Sequence, residues 1–287
     1  MEFPIRELQP VDFPRLLREI PDPPEQIFIR GALPTEDSKI LAVVGSRNYT
    51  DYGKAVTETL IDGLRGHNIT IVSGLALGID GLAHRAALDT GLHTLAVPGS
   101  GIDDSVLYPR RHRALAAEIL TSGGGLLSEY APTFRATPWS FPRRNRIMAG
   151  IAHATLVVEA SLQSGTLITS RLATEYNRDV FTVPGNIFSQ NTAGPHMLIK
   201  LGATPITAPE DILEALGIEA SAPQGALHPA GRSPEEENVL SLLHEPRERD
   251  ALIRALGVDA SRANILLMQM EIDGLIHIDG GVVRRSI

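Results

Sequence analysis

An α/β fold is predicted for this chain: a mostly parallel, Rossmann-like sheet with a small C-terminal winged-helix module. Three observations predict it. Short apolar runs recur through the first three quarters of the sequence, each ending near glycine and followed by a segment with helical spacing. A proline- and glycine-bearing stretch then interrupts the pattern over residues 219–234. Beyond it come three helical patterns and two short apolar runs joined by Gly280 and Gly281. Alternation of strand and helix signals requires a parallel sheet with helices on both faces, because a crossover helix must cover each strand it connects.

Taken in order, residues 1–38 are rich in proline with scattered apolar positions (Phe13, Leu16, Leu17, Ile27, Phe28), which reads as a short arm. Strands are predicted at 40–44, 69–72, 94–97, 125–127, 155–158 and 179–183, each a β-branched or leucine-rich run too short for a helix. A helix is predicted over 81–90, with Asp80 as its cap and apolar residues three and four apart. Residues 39–218 thus form the main domain. Residues 219–234 hold three prolines and two glycines without apolar period, a linker. In the module 235–287, Ser233, Pro234 and Glu236 supply an N-cap, a first-turn proline and a capping-box acid for a helix through Leu243. Helices near 250–256 and 261–272 follow, and the Gly280, Gly281 turn closes a hairpin.

Composition narrows the chemistry. At 287 residues and 43% hydrophobic content the chain can bury a large core. The absence of cysteine removes disulfides, thiolate zinc sites and thiol nucleophiles, and is compatible with a reducing cytoplasm, the expected location. No apolar run reaches membrane-spanning length, and the N-terminus lacks the basic-then-apolar pattern of an export signal.

The charge distribution carries more information than the total. The net charge is −8, yet residues 107–146 hold seven arginines (Arg110, Arg111, Arg113, Arg135, Arg143, Arg144, Arg146) against Glu118 and Glu129. Concentrated cation on an acidic protein points to an anionic partner, with nucleic acid or phosphate first. Within that stretch Phe141, Arg143, Arg144, Asn145 and Arg146 combine an aromatic ring with guanidinium groups, the pair that holds a single strand by stacking and phosphate contact. Ligands of a doubly wound sheet sit beyond the carboxyl ends of its strands, and the glycine loops lie there. They are Gly45, Ser46 and Arg47; Ser73, Gly74 and Gly78; Gly99 and Gly101; and Ser164, Gly165 and Thr166. Their amides and hydroxyls, with Arg47, form a predicted phosphate cradle. An arginine at a helix start is disfavoured by the dipole unless an anion offsets it.

Enzyme signatures are sparse. Neither a P-loop, a dinucleotide fingerprint after the first strand, a His-Glu-x-x-His pair nor a Gly-x-Ser-x-Gly elbow occurs. No metal and no cofactor are expected, and His84 is read as a packed side chain.

Together these motifs resemble the DNA-processing protein A (DprA/Smf) family. The resemblance runs in order through Val44 to Arg47, Ser73 to Asp80 with Ala83 and His84, Val97 to Gly101, Tyr108 and Pro109, and Leu127 to Tyr130. It continues through Phe141 and Pro142 with Arg144 to Ile147 and Ala149 with Gly150, Val158 to Ala160, Ser164 and Gly165 with Leu167 to Thr169, Arg178 to Phe181, Val183 to Gly185, Leu198 with Ile199, and Gly202 with Ala203, covering about residues 40–216. It implies an extended Rossmann fold, a homodimer, single-stranded DNA held in a basic pocket, and delivery of the RecA recombinase onto that DNA during natural transformation, without ATP hydrolysis. By position it implies phosphate contacts from Arg47, Arg110 and the Phe141–Arg146 segment, over a floor of glycine loops. Two departures stand out. Thirty-eight residues are too few for the complete helical SAM-type N-terminal domain of many members, and the winged-helix module carries ten acidic against six basic side chains from Glu235 onward. That balance favours a partner or regulatory surface over duplex binding. The alternative is a nucleotide phosphoribohydrolase or nucleotide sensor of the related Rossmann-like proteins. Such hydrolases place a carboxylate three residues after a Gly-Thr pair, where this chain has Thr169, leaving Asp80 or Glu159 as substitutes.

Overall fold

The computed structural model describes residues 3–218, 233–243, 245–272 and 275–285. The chain divides into two compact units, residues 1–220 and 221–287. In the first, strands β1 (Ile5–Leu8), β2 (Ile27–Gly31), β3 (Lys39–Val44), β4 (Ile69–Ser73), β5 (His93–Ala96), β6 (Gly125–Ser128), β7 (Ala154–Val157), β8 (Asp179–Thr182) and β9 (Thr204–Pro205) form one sheet. Their order is β1-β2-β6-β5-β4-β3-β7-β8-β9. From β6 to β9 every pairing is parallel, and β1 and β2 add antiparallel at one edge. The six predicted strands are all present within a residue or two of their expected ends.

Helices α1 (Arg15–Arg18), α2 (Asp51–Asp62), α3 (Ile79–Thr90), α4 (Arg113–Thr121), α5 (Ser140–Ile151), α6 (Thr166–Glu175), α7 (Ala193–Lys200) and α8 (Pro209–Ala215) complete this unit. Strand β4 is buried at every position, as a central strand covered on both faces must be. One face packs Leu41 and Val43 against Leu60, Ile61 and Ile79, and the other packs Ala42 and Val72 against Ile147, Met148 and Ile151.

Two expectations change here. The head is no separate arm. Its two strands extend the sheet, and Phe13, Leu17, Ile20, Ile27 and Ile29 are buried in the same core as α5. Fully buried Leu17, Ile27 and Ile29 each contribute about 1.5–3 kcal/mol. Its prolines masked a short alternation in β2, where Ile27 and Ile29 are buried and Phe28 and Arg30 half-buried. Helix α3 begins at Ile79 with Gly78, not Asp80, at the cap. Gly78 takes φ 92°, which an L side chain rarely adopts, and the Asp80 carboxylate instead accepts from the Gly74 and Ala76 amides.

Residues 219–232 of the predicted linker lie outside the described residues. In the second unit α9 (Pro234–Leu242), α10 (Arg249–Leu256) and α11 (Ala260–Ile272) accompany β10 (Arg247–Glu248), β11 (Ile276–Asp279) and β12 (Val282–Arg285). Ser233 and Glu236 close the predicted capping box. The strand β10, unmarked by any apolar run, joins the hairpin in the order β10-β12-β11. Val239, Leu252, Leu267, Ile276 and Val283 form its own core. This is a winged helix. Among the described residues no helix is long and apolar enough to cross a membrane.

Candidate functional site

Strands β3 and β7 are neighbours, and the crossovers that leave their carboxyl ends run in opposite directions, from β3 to β4 and from β7 to β8. A crevice must open there, since no helix covers the switch point. It holds a cleft of about 620 Å³, lined by Gly45, Ser46, Arg47 and Asn48 after β3, Asp80 of α3, Phe141, Arg144 and Asn145 of α5, and Ser164, Gly165 and Thr166 at the start of α6.

Glycine at 45 is a packing requirement, because a Cβ would lie 2.6 Å from the Ile79 side chain. Ser46 Oγ accepts from the Asn48 amide and donates to its carbonyl, which fixes the loop and presents Arg47 outward. Among the described residues Arg47 makes no hydrogen bond or ion pair; its guanidinium lies over the Phe141 ring, 5.6 Å from the centroid. All five of its N–H donors are open to a ligand.

The basic segment forms the first two turns of α5. Helical geometry then sorts its side chains. Phe141, Arg144, Asn145 and Met148, spaced by three and four, face the cleft. Arg143 and Arg146 turn away toward Glu129. Arg146 is buried, ion-paired to Glu129, and donates to the Asp22 carbonyl at 2.6 Å. It ties α5 to the head and is unavailable to a ligand, contrary to its predicted phosphate role. Arg143 is exposed, 3.5 Å from the same carboxylate. Burial raises the Glu129 pKa, with Arg146 and Arg143 opposing that rise.

Arg144 is the buried cation of the cleft. Its guanidinium donates to the Val97 carbonyl and lies against Gly74, where no Cβ would fit. Desolvation lowers its pKa to about 10, with Asp80 the principal charge holding it up. Asp80, likewise buried, has its pKa raised by desolvation in spite of Arg144 and two amide donors. Two guanidinium groups against one carboxylate leave the cleft cationic.

The amide cradle is less open than the loops predict. Gly74 and Ala76 amides are engaged by Asp80, and the Thr166, Leu167 and Ile168 amides bond back to Ser164 and Gly165. The Ser164–Thr166 turn is joined to the first loop through Thr166 Oγ1, which donates to the Gly45 carbonyl at 3.0 Å. What remains for an anion is the positive end of α6, its hydroxyls, Asn145 and the two arginines. Asn145 lines the cleft while donating to the Gly165 carbonyl at 3.4 Å.

Five predicted residues, Gly74 the first of them, serve the frame rather than the cleft lining. Buried Ser73 donates to the Val43 carbonyl at 2.6 Å, joining β4 to β3. Gly78 admits Ser46 and Arg47, Gly99 admits the Phe141 ring, and Gly101 admits the Ala131 and Pro132 carbonyls. Arg110 is exposed and lies outside the cleft lining. Reading each loop separately missed Asn48, whose polar side chain beside Arg47 was the available signal.

The remaining candidate acid is engaged elsewhere. Glu159 is buried and accepts from Thr50 Oγ1 at 2.6 Å and from the Thr50 amide at 2.9 Å, bracing the start of α2. His84 is fully buried, its Nδ1 2.7 Å from Thr94 Oγ1, the packed side chain predicted. Among the described residues no group of three or more histidine and acidic side chains is placed to hold a metal.

Comparison with known proteins agrees with this architecture. The family model for DNA recombination-mediator protein A matches residues 6–217, and that for the DprA winged helix domain matches residues 219–281. The chain is 38% identical to the Smf protein of Escherichia coli over 99% of its own length and 79% of that protein. It is 41% identical to the DNA processing protein DprA of Streptococcus pneumoniae over 74% of each. The X-ray structure of DprA from Streptococcus pneumoniae superposes with a TM-score of 0.68 at 40% identity, covering 74% of each chain. The structure of DNA processing protein A from Helicobacter pylori, solved to explain its single-stranded DNA binding mode, superposes with a TM-score of 0.67 at 29% identity, covering 75% of this chain and 96% of that one.

Proposed function

The chain belongs to the DNA recombination-mediator protein A family, and from that premise we propose that it binds single-stranded DNA across the cleft at the β3/β7 switch point. Acting as a homodimer, it delivers the RecA recombinase onto that strand in natural transformation, without ATP hydrolysis. The observation that carries the DNA reading is Arg47: an exposed, unpaired guanidinium held over an aromatic ring at the mouth of a cleft whose floor contains a second, buried arginine. A strand threads such a site by placing phosphates on the cations and bases on flat surfaces, independent of sequence. The relative from Helicobacter pylori, whose structure addresses its single-stranded DNA binding mode, supports the same ligand class.

The hydrolase alternative loses support from its candidate acids. Glu159 is committed to Thr50, and Asp80 is held by two amides beside Arg144. Titrating labelled single-stranded and duplex oligonucleotides at two salt concentrations tests the proposal. Preference for the single strand, falling with salt, is expected; equal binding of both would reject it. Incubation with AMP decides the alternative, since release of adenine at about 1 per second would establish the hydrolase.

A further inference from the structure

Phe141 is the aromatic ring that the sequence offers as a stacking surface, yet its ring is already occupied. Gly99 packs against it so closely that a Cβ there would sit 2.5 Å from Cδ1, and Arg47 lies over it. Phe141 thereby orients a guanidinium, and a base needs another platform. Tyr108 supplies one. It is 48% exposed, its ring centroid lies 5.5 Å from that of Phe141, and its amide is tied to buried Ser100 Oγ at 3.2 Å. Between it and Arg47 runs a small notch that also includes Leu77, an exposed apolar side chain. Arg110 and Arg111 follow in the chain, both exposed and, among the described residues, without an ion pair.

Resting on the single-strand reading of the cleft, we propose that Tyr108 is a base-stacking platform outside it, so that the strand passes Arg47 and continues over Leu77 and Tyr108 toward Arg110 and Arg111. The chemistry favours a nucleobase here. The notch, about 40 Å³, is too small to enclose a base and read its edges, whereas an exposed aromatic side chain beside an apolar one takes any base by its π surface. The exposed guanidinium groups on either side hold the flanking phosphates. The binding footprint therefore exceeds the cleft by at least one nucleotide.

The test uses the full chain and oligothymidylates carrying one 2-aminopurine, whose emission falls on stacking, moved along the strand. Tyr108→Ala is expected to weaken binding about tenfold, within the range for one lost stack. It should abolish quenching at one register and leave the salt slope unchanged, since no charge is removed. Tyr108→Phe should bind as the unaltered protein does. Tyr108→Leu, which keeps apolar bulk against Phe141, should lose as much as alanine and decides the matter if the alanine variant misfolds. Full affinity and full quenching in the leucine variant would overturn the inference while leaving the cleft reading intact. Failure of the unaltered protein to bind any oligothymidylate would overturn both.

Discussion

Replacing Arg47 with alanine isolates the electrostatic part of the proposed interface. The side chain is exposed and, among the described residues, bonds to nothing, so its removal should leave stability within about 0.5 kcal/mol. Binding should respond differently. Loss of one charge-assisted hydrogen bond at a partly solvated site corresponds to roughly 1–2 kcal/mol, or about 5- to 30-fold in Kd. Neutralising one fewer phosphate should also reduce the slope of log K against log salt by about 0.7. Fluorescence anisotropy of a labelled oligothymidylate, titrated at four or more salt concentrations, reads both quantities. Arg47→Lys separates charge from shape: it should retain the slope yet lose about 0.5–1 kcal/mol, because an ammonium does not stack on Phe141 as a planar guanidinium does. An alanine variant with unaltered affinity and slope would refute the assignment, and one that also melts early would show the arginine to be structural.

Arg146→Ala should behave in the opposite way, destabilising the fold by about 3 kcal/mol because buried Glu129 keeps only the exposed Arg143 at 3.5 Å, while leaving the salt slope unchanged; thermal melting and the same titration check it. Gly78→Ala should cost at least 1 kcal/mol, since φ of 92° is strained for alanine and its Cβ would lie 2.2 Å from the Ser46 carbonyl; denaturant melts decide. His84 is buried neutral with its pKa lowered from 6.5 to about 3, first by desolvation and then by His112. Because its folded pKa is depressed, the unfolded chain binds more protons below 6.5, so stability is present above that pH and lost as pH falls toward 3. The loss reaches roughly 2 kcal/mol by pH 5, and His84→Gln should show a shallower acid limb in stability against pH. Trp139, the single tryptophan, is 53% exposed and adjoins Pro138 of the cleft lining. Its emission should change on addition of oligothymidylate, and a silent tryptophan at saturating DNA would place the strand elsewhere.

The parallel sheet was legible because β3, β4, β6 and β7 are short apolar runs, a pattern fixed locally by burial on both faces. The two strands of the head were not. Strand β1 does not alternate and β2 alternates over only a few residues after a run of prolines, a signal that acquires meaning only when Phe28 and Ile29 pair with Ser128 and Leu127, about a hundred residues away. The site divides in the same way. Glycine loops at strand ends announced where a ligand could lie, since that follows from topology. Which of their amides stay free did not follow, because Asp80 reaches back from α3 to engage two of them.

Counting arginines also overstated the charge available to a ligand. Residues 107–146 carry a balance of +5, but the structure assigns those charges to different tasks. Arg146 is matched by Glu129 and binds the head to α5; Arg144 is sunk beside Asp80 and anchored to the Val97 carbonyl. Neither can follow a moving phosphate. Arg47, outside the basic stretch altogether, is the guanidinium presented to solvent at the cleft mouth. This division fits the physics of the proposed task. A protein that must hold a strand and then yield it to another protein gains little from deeply buried phosphate contacts, whose loss is costly and slow. Exposed, screened cations on an aromatic support give affinity that competition for the same phosphates can reverse.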